Sequence, residues 1–213
     1  MRSAEKYRGR AEHWTDEAYA DPAAYLRRRA GMVVSLGPRL EEGDTVLDLA
    51  CGDGGLAEPL LAQGLRYLGV DLSEEMVAAA NRRLAGRAEV RVGDLNEFEP
   101  SEPVAATTCF RAVYYAHDRR AFFRGVSGYT ERKLVFDLNP RQYRVEDVAA
   151  DLRAAGFPRL DLRPFFVPQT RALPGPIARL LQAAEQSGPL GRAFLRFRFT
   201  YICSAFREVP FLT

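Results

Sequence analysis

The sequence predicts an α/β fold with a doubly wound, mostly parallel sheet, and three observations support this. Short apolar runs at residues 46–49, 67–70, 89–92, 104–110 and 134–136 alternate with helical patterns, and such alternation implies right-handed crossovers with helices on both sheet faces. The first run breaks into a glycine-rich turn, C-G-D-G-G at 51–55, ahead of a helical segment at 56–63. Strand, glycine turn and helix N-terminus in that order mark the place where α/β proteins hold nucleotide-like ligands. Near the end of the chain the pattern changes: Leu160 and Leu162 alternate with charges, and Phe197, Phe199, Tyr201 and Cys203 alternate with Arg196, Arg198 and Thr200. This is half-buried strand patterning without an obvious βαβ crossover, so an antiparallel pair is expected to close the sheet.

In chain order, residues 1–20 mix Tyr7, His13, Trp14 and Tyr19 with charges in no clean period and read as a lid or irregular arm. Asp21-Pro22 is an N-cap and first-turn pair, and Leu26, Ala30, Val33 and Val34 form the stripe of a helix that Gly37-Pro38 ends; it is expected to pack on the sheet edge. The second strand ends at Asp71, and Ser73 with Glu74 and Glu75 caps a helix whose buried stripe is Met76, Val77, Ala80 and Leu84. The third strand ends at Gly93-Asp94, Asp118 caps a helix through Val126, and the fifth strand runs into Asp137. Val145, Val148, Ala149 and Leu152 make a further amphipathic helix, stopped by Gly156. Residues 167–194 are rich in proline and glycine, with a short helix expected at 177–184; a connection of that length favours a lid over a plain loop. The organisation expected is a single domain over 1–213: arm 1–40, ligand-binding core 41–166, insertion 167–195 and final strand 196–213.

Hydrophobic residues make up 47% and charged residues 27% of the chain, the composition of a packed globular protein. No apolar h-region occurs in the first 30 residues and no apolar run reaches 18, so neither signal peptide nor spanning helix is expected and the cytoplasm is the expected location. Cys51, Cys109 and Cys203 are odd in number and far apart, unlike a disulfide framework. A net charge of +2 argues against nucleic acid as a partner. From Arg159 onward, however, eight arginines face only Asp161, Glu185 and Glu208; this is a solvated face or a site beside an anionic substrate or a membrane surface. No metal-ligand spacing appears, so no metal is expected.

The turn formally satisfies the dinucleotide fingerprint G-x-G-x-x-[G/A] through Gly52, Gly54 and Ala57. A diphosphate wants bare amides and positive potential, whereas Asp48 ends the strand and Asp53 sits inside the loop. Such a turn suits a ligand carrying an ammonium and a sulfonium. Asp71 and Asp94 follow at successive intervals of 23 residues, each at a strand tip, where carboxylates suit ribose hydroxyls and an adenine amino group, with Leu72 and Leu95 flanking the ring.

On V-L-D-L-A-C-G-D-G-G, L-G-V-D-L-S-E-E-M and V-G-D-L-N, the chain resembles the class I S-adenosylmethionine-dependent methyltransferases, over roughly 41–166. C-F-R-A-V-Y-Y-A-H-D continues the likeness more weakly. The resemblance implies a Rossmann-like seven-stranded sheet of order 3-2-1-4-5-7-6 with strand 7 antiparallel. It also implies Asp48, Ala50, Cys51, Gly52 and Gly54 around the methionine portion of S-adenosylmethionine, Asp71, Leu72 and Met76 at ribose and adenine, Asp94 and Leu95 at adenine, and the backbone of Phe110 and Arg111 at the methionine amino group. Ala50 departs from the glycine common in the family.

Methyl transfer from a sulfonium needs alignment and exclusion of water more than acid–base help; a base is required only for an acceptor that holds its proton. His117, after the fourth strand, is the candidate catalytic base, and Tyr7, His13, Tyr114 and Tyr115 are candidate lining of the acceptor pocket. The absence of an Asn-Pro-Pro-Tyr-like motif and the likeness to quinone and natural-product enzymes imply a small, partly hydrophobic acceptor, with Arg163 or Arg171 available for a carboxylate. The alternatives are an NAD(P)-binding oxidoreductase and a non-catalytic S-adenosylmethionine-binding protein.

Overall fold

The computed structural model describes residues 21–165, 174–186, 188–195 and 200–207. Seven strands, β1 (Thr45–Leu49), β2 (Arg66–Asp71), β3 (Glu89–Val92), β4 (Val104–Cys109), β5 (Thr130–Leu138), β6 (Arg159–Pro164) and β7 (Tyr201–Phe206), form one sheet of order β3-β2-β1-β4-β5-β7-β6. β7 runs antiparallel to both β5 and β6, and the other pairs are parallel. The strand order therefore reverses between β1 and β4, the point at which α/β sheets open a crevice at their carboxyl ends.

The helices are α1 (Pro22–Ser35), α2 (Ala57–Leu61), α3 (Glu74–Leu84), α4 (Arg119–Tyr129), α5 (Val145–Ala154), α6 (Gly175–Gln186) and α7 (Gly188–Phe194). Their caps match the sequence signals. Asp21 accepts from the Ala24 amide at 2.9 Å, Ser73 Oγ from the Met76 amide at 3.3 Å, and Asp118 from the Arg120 and Ala121 amides. Such caps satisfy first-turn amides that have no partner within the helix. One apolar core joins α1, α2 and α3 to Val46, Ala106, Val135 and Ile202 of the sheet. The opposite face packs Leu47, Leu49, Leu134 and Phe136 against Phe122 and Phe123 of α4 and Val148 and Leu152 of α5.

Four expectations change. α1 does not sit at the sheet edge: its C-terminal end lies over β5 and β7, where the buried Lys133 Nζ donates to the Val34 and Leu36 carbonyls at 3.1 and 2.8 Å. A Cβ at Gly37 would lie 2.6 Å from Ser204 Oγ. β5 is longer than its apolar run because it is paired on both sides, and that pairing carries Thr130 and Lys133 into the interior. α2 is shorter than its pattern. The insertion holds two helices rather than one. The expected strand residues 196–199 lie outside the described set, and β7 is described from Tyr201.

Candidate functional site

The glycine turn leaves β1 with three successive alternate residues in the left-handed region, Ala50 (φ 59°), Gly52 (φ 59°) and Gly54 (φ 71°). Glycine adopts this freely, but an alanine there costs about 1–2 kcal/mol. Ala50 therefore carries strain that the neighbouring contacts hold in place. Two such contacts are visible: the Cys51 amide donates to the Val70 carbonyl at 3.0 Å and the Gly52 amide to Asp71 Oδ2 at 2.8 Å. Gly54 lies against α3, where an added Cβ would stand 3.1 Å from Ala80 Cβ.

Asp48 is buried beneath the turn. Tyr67 donates to its Oδ2 at 2.8 Å and Thr108 to its Oδ1 at 2.6 Å. Burial pushes its carboxyl up to about 6, against the downward pull of Thr108, Tyr67 and the Arg29 charge. Asp71, half-buried at the tip of β2, accepts from the Gly52 and Ser73 amides and is also raised, first by burial. Asp53 behaves otherwise. Its carboxylate is buried and paired with Arg83 of α3 at 2.9 Å, so the expectation that it presents charge to a ligand is corrected. The negative character of the cleft comes from strand ends, not from inside the loop.

Asp94 at the end of β3 accepts from the backbone and side chain of Asn96 at 2.8 and 2.7 Å. Asn96 in turn accepts from the His117 amide at 2.9 Å, binding the loop after β3 to the loop after β4. Leu72 is 47% exposed and Leu95 half-buried, whereas Met76 is buried in the first turn of α3. After β4, Arg111 takes a positive φ of 55° and its amide donates to Asp137 Oδ1 at 2.6 Å. A single 3-10 turn, Val113–Tyr115, then sets the Tyr114 and Tyr115 rings 4.3 Å apart, with Tyr114 half exposed. His117 is exposed, held by its backbone amide. Tyr7 and His13 lie outside the described residues.

The thiols are not nucleophiles here. Burial, aided by Asp48 and Asp71, pushes Cys51 well above its ordinary range, and burial does the same for Cys109 and Cys203, so all three stay protonated near neutrality. Among the described residues no group of three or more His, Cys, Asp or Glu is placed to hold a metal ion, and no helix is long and apolar enough to cross a membrane.

Two charged residues that the sequence reading did not assign to the site stand at its rim. Arg29 of α1 is buried, donates to the Tyr25 hydroxyl, and places its guanidinium 4.3 Å from the Phe110 ring centroid, within the electrostatic reach of Asp48 and Asp137. A signal existed: an arginine embedded in the apolar stripe of Leu26, Ala30 and Val33. Asp137, near the end of β5, carries the same strand-end signal as Asp48, Asp71 and Asp94.

A family model described as a methyltransferase domain matches residues 46–132. Residues 46–132 of the chain are thus similar to a methyltransferase domain. A dTDP-4-amino-2,3,4,6-tetradeoxy-D-glucose N,N-dimethyltransferase of Saccharopolyspora spinosa is 38% identical to this chain over 88 residues, 40% of this chain and 35% of that one. An uncharacterized methyltransferase of Geobacillus kaustophilus is 32% identical over 111 residues, 50% of this chain and 49% of its own length. The chain thus spans half or less of the curated relatives it matches. Among solved structures, a TehB-like S-adenosylmethionine-dependent methyltransferase from Corynebacterium glutamicum superposes with a TM-score of 0.63 at 19% identity, covering 96% of this chain and 98% of that one. Magnesium protoporphyrin IX methyltransferase from Synechocystis with bound S-adenosylmethionine gives 0.60 at 18%, covering 87% and 79%. Both likenesses extend the methyltransferase fold across nearly the whole chain.

Proposed function

We propose that the chain is a single-domain enzyme that transfers a methyl group from S-adenosylmethionine to a small organic acceptor. The observation that carries this is the polarity of the crevice at the strand-order reversal. The carboxylates of Asp48, Asp71, Asp94 and Asp137 stand at or near the carboxyl ends of their strands beside it, and the Arg111 amide is already used by Asp137. That leaves acceptors rather than donors at the turn, which fits a ligand bearing an ammonium and a sulfonium and opposes a diphosphate. In this reading the carbonyls of Phe110 and Arg111 and the charge of Asp48 serve the methionine amino group. Arg29 is the counterion for its carboxylate. Asp71 takes the ribose hydroxyls through lone pairs not used by the Gly52 and Ser73 amides, and Asp94, Leu72 and Leu95 frame the adenine. Cys51 and Met76 supply wall, and Gly52 and Gly54 allow close approach.

When bound, S-adenosylmethionine supplies a methyl already activated on sulfur. The residues of the chain then have to align the acceptor and keep water out, effects that together reach about 7–11 kcal/mol in favourable cases. Tyr114 and Tyr115, beside the crevice, are the described candidates for the acceptor wall, with Tyr7 and His13 of the arm proposed to complete it. His117 is the base for an acceptor that holds its proton; its exposure keeps it able to exchange that proton with solvent. The acceptor class draws support from the amino-sugar dimethyltransferase relative.

The test is transfer of labelled methyl from S-adenosylmethionine to a panel of amino sugars, quinols and phenolic acids, with tRNA alongside. Label in a small product is the expected outcome, and His117→Ala should lower turnover of a phenolic acceptor about 100-fold. Tight cofactor binding with no transfer would favour a binding protein, and label on tRNA would move the acceptor to nucleic acid.

A further inference from the structure

A second cavity, of about 730 Å³, lies on the other side of α1, between that helix, β6 and α6. Its size is that of a small-molecule site, typically about 300–1,000 Å³. None of the crevice residues lines it. Arg27, Arg28, Arg163 and Gln182 do, over the apolar surface of Met32 and Leu36, and among the described residues no acidic side chain is in the lining. β6 explains the placement of Arg163: Leu160 and Leu162 pack against the core of α4 and α5, so by the alternation of a strand Arg163 is turned to the face where α1 lies.

Arg28 makes this a built site rather than a basic groove. Its side chain is only 7% exposed, with Glu185 of α6 as its ion-pair partner and the Phe165 ring 4.1 Å from its guanidinium carbon. Its Nε has no hydrogen-bond acceptor among the described residues. A buried charged donor left without an acceptor is costly, of order 1–3 kcal/mol. Among the described residues Arg163 donates to the Leu162 carbonyl at 3.0 Å. Among the described residues, three arginines thus border the cavity, and Glu185 beside it is already paired with Arg28.

We infer that this cavity binds a small organic anion with an apolar body, its carboxylate or phosphate held by Arg27, Arg28 and Arg163 and its body laid on Met32 and Leu36. Planar guanidinium forks suit both acid types. The site is separate from the cofactor crevice, divided from it by the layer in which Phe165 stacks edge-on against Tyr25 at 5.4 Å and Arg29 covers Tyr25 at 4.7 Å. Burial holds the Arg28 guanidinium below its ordinary range in spite of Glu185, so an added anion relieves a strained charge.

The experiment titrates octanoate, octyl phosphate and octanol calorimetrically into the full chain, with and without saturating S-adenosylhomocysteine. Expected are one-to-one binding of both anions, at least 10-fold weaker binding of octanol, and no displacement by S-adenosylhomocysteine. Arg27→Gln/Arg163→Gln should weaken the anions at least 10-fold and leave S-adenosylhomocysteine affinity unchanged, whereas Arg163→Lys, which keeps the charge, should retain binding within a few-fold. No anion binding, equal binding of octanol, unchanged affinity in the double variant, or displacement by S-adenosylhomocysteine would each overturn the assignment.

Discussion

Arg28 and Arg29 are consecutive on α1 and face differently charged surroundings. Arg29 points to the strand-end carboxylates and the Phe110 ring, so the crevice beside it offers mainly acceptors. Arg28 is held by one glutamate and borders a cavity whose lining is basic. A helix advances about 100° per residue, enough to send neighbouring side chains of α1 to opposite walls. The sign of each site therefore follows from what the facing elements supply: strand ends with Asp48, Asp71 and Asp137 on one side, an edge strand with Arg163 on the other. Net charge, at +2 for the chain, reveals neither.

Three changes should break or sharpen this contrast. The largest effect is expected for Asp71→Ala. It removes the acceptor for two ribose hydroxyls and leaves the Gly52 amide without its partner at 2.8 Å. Hydrogen bonds to a charged group are worth about 1.5–3 kcal/mol each, so S-adenosylhomocysteine affinity should fall at least 100-fold while the anion site is untouched. Next is Arg29→Met, which keeps the packing on Tyr25 and Phe110 but removes the counterion; a loss of about 10-fold or more in S-adenosylhomocysteine affinity is expected, measured by calorimetry against an unchanged octanoate titration.

The smallest effect on cofactor affinity is a pH effect at Asp48. Its carboxyl is raised to about 6, with Tyr67, Thr108, Arg29 and Asp71 as its charged or hydrogen-bonding neighbours. Because its folded pKa lies above the ordinary value of 3.8, its contribution to stability is present below that value and lost as pH rises through about 6. Asp48→Asn should therefore stabilise the fold by about 2–3 kcal/mol at pH 8 and give no gain at pH 4, read from denaturant unfolding. Binding of the cationic S-adenosylmethionine favours the ionised form, so in the wild type its affinity should drop several-fold between pH 7 and pH 5, and that dependence should vanish in Asp48→Asn.

The legible parts of the sequence were those governed by local rules. Apolar runs, caps and the glycine turn located all seven strands, because strand burial and helix capping are written in neighbouring residues. Asp71 and Asp94 were found for the same reason, since each ends a strand within a spaced motif. Asp53 was misjudged because its partner, Arg83, lies 30 residues away, and only the fold reveals that its charge is spent. Arg29, an arginine in an apolar stripe, and Asp137, near a strand end, were nonetheless not assigned to the site, because only the fold shows that α1 lies over β5 and β7 rather than at the edge. Arg163 was read as a possible carboxylate ligand, but its place in a separate cavity depends on the antiparallel pairing that turns β6 toward α1.

The most direct measurement is a calorimetric titration of S-adenosylmethionine and of NADH into the full chain near pH 7.5. One-to-one binding of S-adenosylmethionine with no heat from NADH is the result this account predicts. Saturable NADH binding without S-adenosylmethionine binding would contradict it, since a crevice lined by strand-end carboxylates would then be holding a diphosphate.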